Sequence, residues 1–213
     1  MPDSTSIERR GGRPTSAEAA ALQQRLREAA VATFLDKGYD ATTMVAIAEA
    51  AGITKRTLYT RYPDKRAVFL DVIPWAFTRA VAVEADQAFD ADDLHGALIA
   101  IGRGAVKYAL TPEIVQLHKI ARNEAHRFPE FALGAESLGW ARRQQQVMDL
   151  LVHHSKLGTI DVDDVELSAE HFLAMVEVMP ARLADFGLYR SAADEERHLL
   201  HAVDLFLRGV LTR

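Results

Sequence analysis

Apolar residues recur three and four positions apart along almost the whole chain, and no stretch alternates apolar and polar residues in the manner of a half-buried strand. The pattern predicts an all-α fold. Local signals set its limits. Thr15-Ser16-Ala17-Glu18 is a capping box, a hydroxyl and a Glu three residues on that satisfy free amide groups reciprocally. Leu22, Leu26, Ala29, Ala30 and Phe34 form the apolar stripe of the helix it starts, and Lys37-Gly38 ends that helix with a cation and a left-handed glycine. Two short helices are expected at 43–51 and 54–61, divided by Ala51-Gly52-Ile53, and Pro63-Asp64 opens a fourth at 64–89. Longer helices are predicted at 92–110, 111–127, 129–157, 163–186 and 191–211, nine helices in all. Pro74 and Pro180 fall inside two of these and are expected to kink or break them.

Composition narrows the function. The 213 residues are 49% apolar, enough for a sizeable core, and no apolar run approaches the roughly 18 residues that span a bilayer. The N-terminus opens polar and then basic without a signal-peptide core, so a cytoplasmic protein with no membrane partner is expected. The chain has no cysteine, which excludes a disulfide scaffold, a thiol nucleophile and thiolate zinc sites. His153 and His154 are adjacent and diverge on a helix, and His198 and His201 have no obvious acidic third ligand, so neither a metal nor a cofactor is expected. No Gly-rich phosphate loop, nucleophile elbow or HExxH sequence supports an enzyme. The net charge of −5 hides an asymmetry: residues 1–66 carry 11 Lys and Arg against 8 Asp and Glu, and residues 67–213 carry 14 against 22. A basic end on an acidic body would approach a polyanion basic end first.

Residues 43–62 carry the chemistry. Ile47, Ala48 and Ala51 give the first short helix a small-residue inner face, so that the second can cross it closely at the Gly52 turn, with Leu58 anchored beneath. Thr43 precedes the first helix, while Thr54, Lys55, Arg56 and Thr57 fall at the exposed N-terminal end of the second, the end that a helix-turn-helix points into the DNA major groove. Arg and Lys there can donate to guanine O6 and N7, and Thr methyls can touch thymine methyls. Tyr59, Tyr62 and Lys65 lie just behind, where a hydroxyl or ammonium is expected to meet phosphates. Arg9, Arg10 and Arg13 form a basic arm suited to backbone or minor-groove contact.

From Arg10 to Val72 the chain resembles the DNA-binding domain of the TetR/AcrR family of bacterial transcription regulators. The resemblance rests on the arm with Arg13-Pro14, Gly38-Tyr39, Thr42-Thr43, Ile47-Ala48, Gly52 and Thr57-Leu58-Tyr59 followed by Tyr62 and Lys65. Arg56 departs from the small residue, often Gly, that many members carry, so sequence specificity does not transfer. The later helices resemble the AefR-like branch. The resemblance implies a flexible arm at 1–14, a helix-turn-helix domain at 15–66, and a ligand-binding and dimerisation domain at 67–213. Its implied function is a nucleoid-associated repressor of a partly palindromic double-stranded operator, released by a small effector. The alternative of the same fold is an architectural or interaction factor controlled by a protein partner.

The last two helices are apolar on more than one face. Phe172, Met175, Val176, Met179 and Leu183 lie along one side of the first, with Leu173, Val178 and Ala181 elsewhere; Leu199, Val203, Phe206 and Val210 form one stripe of the second, with Leu200, Leu207 and Leu211 displaced. A homodimer through these helices is the expected cover. A mostly apolar effector would be lined by Trp75, Phe77, Tyr108, Trp140, Phe172, Met175 and Met179, with His118, Arg122 and Gln144 as polar groups; His118 and Arg122, four apart, are expected to face one anionic group. Pro74 near Trp75 offers a bend between the two parts.

Overall fold

The computed structural model describes residues 15–84 and 89–212, and within them the side chains outside 80–84 and 130–139. Thr15 caps α1 (Ser16–Ala41) in the predicted box: it accepts from the Glu18 amide at 3.2 Å while Glu18 takes the Thr15 amide at 2.8 Å. Gly38 leaves helical geometry at φ 72°, a left-handed conformation that costs a side-chain-bearing residue and that glycine adopts freely. The short helices are α2 (Met44–Ala50) and α3 (Lys55–Tyr59), and α4 (Lys65–Glu84) begins where Asp64 accepts the Ala67 amide at 2.8 Å. The body continues with α5 (Leu94–Ala109), α6 (Pro112–Glu124) and α7 (Pro129–Lys156). Then come α8 (Val165–Leu173), a π-helical turn (Ala174–Val178), α9 (Met179–Asp185) and α10 (Ala192–Val210). Because α8, the π turn and α9 run head to tail, the described residues form nine helical rods, and the only β pairing among them is one isolated bridge from Ile160 to Leu211.

Both internal prolines are accommodated without a break. Pro180 lacks the donor that the Val176 carbonyl would meet, and its ring crowds that carbonyl. The π turn directly precedes it, and Pro180 falls in the first turn of α9, where a missing donor is tolerated. Pro74 does not end α4. Val72, Ile73, Ala76 and Phe77 around it are all buried, and packing from both sides outweighs one missing bond.

Two apolar clusters hold the chain together. The first joins Leu26 and Phe34 of α1, Ile47 of α2, Leu58 of α3 and Phe69, Val72 and Phe77 of α4 to Tyr108, Leu117 and Phe128. It therefore runs without interruption past residue 66. The second lies wholly in the body, where Leu98 and Ile101 of α5 and Val147 and Leu151 of α7 meet Phe172, Val176, Val203 and Phe206. Leu207, expected off the stripe of α10, is buried as well, whereas Leu200 and Leu211 are exposed.

α5 and α10 approach closely because Gly102 has no side chain: a Cβ there would lie 2.5 Å from Cδ1 of buried Leu199. Gly104, one residue beyond its neighbour on α5, would meet nothing within 4 Å. Gly104→Ala should raise stability by up to about 1 kcal/mol through helix propensity. Gly102→Ala should lower it, since overpacking costs about 1 to 3 kcal/mol. Thermal melts of the two variants that shift in the same direction would contradict this packing.

Candidate nucleic-acid interface

The reading motif is assembled by caps at both ends of a tight turn. Thr43, exposed, accepts the Ala46 amide at 3.1 Å and starts α2. Gly52, at φ 65°, reverses the chain, and the Ile53 amide returns to the Ala48 carbonyl at 3.0 Å. Buried Ile47, Ala48 and Leu58 let α3 cross α2 at short range. Thr54 caps α3 by accepting the Thr57 amide at 3.1 Å, and the two hydroxyls share a bond of 2.9 Å. This leaves Lys55 and Arg56 exposed at the free end of α3, with Tyr59, also exposed, under the Lys55 ammonium at 5.8 Å. Arg56 makes no side-chain hydrogen bond or ion pair among the described residues. Arg9, Arg10 and Arg13 lie outside the described residues.

Two residues expected to face phosphates turn inward instead. Tyr62 is 7% exposed; its hydroxyl donates to Asp71 at 2.5 Å and accepts from Gln23 at 2.8 Å, while Arg27 grips both Asp71 oxygens at 3.0 and 2.7 Å. Burial, and then Asp71, hold the Tyr62 phenol above its ordinary pKa. Lys65 donates to the carbonyls of Tyr39 at 2.6 Å and Asp40 at 3.1 Å and sits 4.4 Å over the Tyr39 ring. These carbonyls follow Gly38, where α1 loses its regular hydrogen bonds, and an ammonium satisfies them and the helix dipole together.

In the body the ten residues expected to line one pocket divide. Trp75 packs toward α1, between the guanidinium groups of Arg27 at 5.7 Å and Arg79 at 5.0 Å. Met179 is exposed, and Phe172 packs on Phe206 at 5.2 Å in the second cluster, against which Met175 and Trp140 rest; Gln144 is half-buried. Phe77, Tyr108 and His118 lie apart from these. His118 sits 4.8 Å from the Phe77 ring, and burial, then the charge of Arg122, push its pKa down to about 4. It is neutral at pH 7. Arg122 is paired with Asp185 of α9, so the expected anion-facing pair is replaced by a neutral ring and a closed ion pair. The sequence reading missed Arg143, buried over the Tyr108 ring at 4.3 Å and bonded to buried Glu177 at 2.8 Å. Its one available signal was Glu177, a lone acid in the apolar run 172–180.

Comparison with known proteins decides the family. Residues 96–209, more than half of the chain, match the AefR-like transcriptional repressor C-terminal domain, and residues 26–72 match the tetR family of bacterial regulatory proteins. The chain belongs to the TetR family.

This TetR-type DNA-binding regulator is 34% identical over 94 residues to the HTH-type transcriptional regulator YhgD of Bacillus subtilis (strain 168), a stretch covering 42% of the chain and 49% of YhgD. The chain thus spans about half the length of that curated relative. Among solved structures, a TetR-family regulator from Mesorhizobium loti MAFF303099 is 25% identical with a TM-score of 0.75, covering 93% of this chain and 100% of that one. The Flavonoid-responsive Regulator FrrA is 26% identical with a TM-score of 0.77, covering 91% and 99% respectively. The family consists of regulators and not enzymes. Among the described residues no helix of this TetR-family chain is long and apolar enough to cross a membrane.

Lys65 therefore separates holding the motif from reading DNA. Lys65→Met should lower stability by about 1 to 2 kcal/mol, by leaving two carbonyls without their charged donor. Lys55→Ala should leave the melting temperature within a degree or so and weaken DNA binding instead, with a flatter salt dependence. Melts and salt-dependent binding isotherms of both variants check this; equal melting temperatures would contradict the capping role.

Proposed function

We propose that this regulator is a repressor that binds a partly palindromic operator as a homodimer and leaves it when a small, mostly apolar effector enters the body. Residues 15–66 are the reading head, preceded by the basic arm, and 67–213 the ligand-binding and dimerisation part. The observation that carries the reading is Arg56, exposed beside Lys55 at the free end of α3 and without a protein partner among the described residues. A guanidinium so placed can donate two bonds to a guanine edge in the major groove.

Dimerisation is supported by apolar residues left uncovered on the last rods. Leu167, Val178, Met179 and Leu200 are exposed, and Phe186, in the turn after α9, is 74% exposed. A second copy covering them would set the two reading ends about one duplex turn apart, roughly 34 to 36 Å. Release by an effector is supported by the name of FrrA, a flavonoid-responsive protein of similar structure.

The test begins with genomic DNA fragments selected by the purified protein. On the operator so obtained, Arg56→Ala should cost about 1 to 3 kcal/mol and relax one base position, with little change on random DNA. Equal losses on both DNAs would reduce Arg56 to a phosphate contact, and light scattering that shows a monomer at micromolar concentration would remove the two-headed reading.

A further inference from the structure

One ion pair inside the body is held by a single bond. Arg143 on α7 donates from Nη2 to Oε1 of Glu177 in the π turn at 2.8 Å, and both side chains are less than a tenth exposed. Nε and Nη1 of Arg143 and Oε2 of Glu177 are buried and meet no partner among the described residues. Buried donors and acceptors are ordinarily satisfied, and leaving them open costs more than a bond between them returns. Arg143 is paired with Glu177, Arg122 with Asp185, and His118 is neutral; burial pushes the Glu177 carboxyl pKa up, against the pull of the Arg143 guanidinium. Aromatic rings lie against these groups, Tyr108 against Arg143 and Phe77 against His118.

We propose that Arg143 and Glu177 are the polar anchor of the effector site and that the effector is a neutral, otherwise apolar alcohol or phenol. One hydroxyl satisfies two of the three atoms: its oxygen accepts from Nε or Nη1 of Arg143, and its O–H donates to Oε2 of Glu177. A carboxylate or phosphate at the open Arg143 donors would bring a second acidic group beside Glu177, which already pairs with that guanidinium. A hydrocarbon would leave the same three atoms unpaired, the situation in which a polar site discriminates most strongly. The three atoms are closed from solvent in this conformation, so entry parts α7 from the π turn. Glu177 immediately precedes exposed Val178 and Met179, so a ligand that draws on its carboxylate acts on the segment proposed to meet the second copy. This inference rests on the effector-released reading above and supplies its ligand chemistry.

The experiment titrates the full-length protein in a calorimeter with 2-naphthol, naphthalene and 2-naphthoate, which share a ring system and differ in polar group. Wild type should bind 2-naphthol about tenfold or more tightly than either of the others. In the double variant Arg143→Leu/Glu177→Leu, which removes both charges together, the preference for 2-naphthol over naphthalene should collapse to about twofold or less, with naphthalene binding itself serving as the control for an intact body. Absence of 2-naphthol binding, equal binding of 2-naphthol and naphthalene, tighter binding of 2-naphthoate, or a preference that survives in the double variant each overturns the proposal; the wild-type comparison decides alone if the double variant does not fold. Operator binding measured in parallel keeps the two readings apart. A hydroxyl preference without loss of operator affinity supports the anchor and removes effector release, whereas release by a compound that ignores the pair removes the anchor and leaves release standing.

Discussion

Phe128, in the turn between α6 and α7, packs on Phe69 of α4 at 5.0 Å and on Tyr39 at 4.9 Å, and Phe34 of α1 closes the nest against Phe69 at 4.9 Å. Each buried aromatic contributes about 1.5 to 3 kcal/mol by leaving water, and each edge-on pair roughly 0.5 to 1.5 kcal/mol more. Because Tyr39 stands at the end of α1 and Lys65 holds its carbonyl, the nest also fixes where α2 and α3 leave α1. Polar links flank it. Arg127 pairs with Asp40 at one end of α6, and at the other Arg79 bridges Glu28 of α1 at 3.2 Å and Glu113 of α6 at 3.0 Å. These side chains are around two-fifths exposed or more, so solvent screens each pair and it serves alignment more than stability.

Much of this was legible in the sequence because helix ends are local chemistry. Thr15, Thr43, Thr54, Asp64 and Ser191 all cap the helices they were expected to start, and Gly38 and Gly52 take the left-handed conformations that their places demand. The reading motif was legible for the same reason: a turn glycine, small inner residues and one anchoring Leu suffice to cross two short helices. What escaped was the direction of long polar side chains. Tyr62 and Lys65 follow the reading helix closely enough to be read as phosphate contacts, yet their partners, Asp71, Gln23 and the carbonyls near Gly38, are distant in the chain or unmarked in the sequence. The apolar character of Trp75 points to the body, yet Arg27 of α1 and Arg79 of its own helix lie over its ring. Arg143 follows Arg142 and reads as solvated surface until α7 is seen to press it against Tyr108 and Glu177.

The π turn ties these points together. It lets Pro180 remain inside a continuous rod, it carries Glu177 inward, and it brings Val178 and Met179 outward at the next positions. A buried charge pair at such a place is an expensive way to fill a core, since apolar residues of similar volume are often as stable or more so. On the proposed reading, a group that pairs with it would act on the body, and the first cluster, which runs from α1 into the body, would carry that to the reading head.

If the body sets the position of the reading head, it does so through the nest at Phe128. Phe128→Leu removes the ring contacts and keeps most of the apolar volume, at a residue outside the helix-turn-helix. Measured by equilibrium binding at one salt concentration, its operator affinity should fall by roughly fivefold or more, while affinity for random DNA stays as in wild type. Unchanged operator affinity in a variant confirmed to have lost the ring contacts would show that the head is placed without the body.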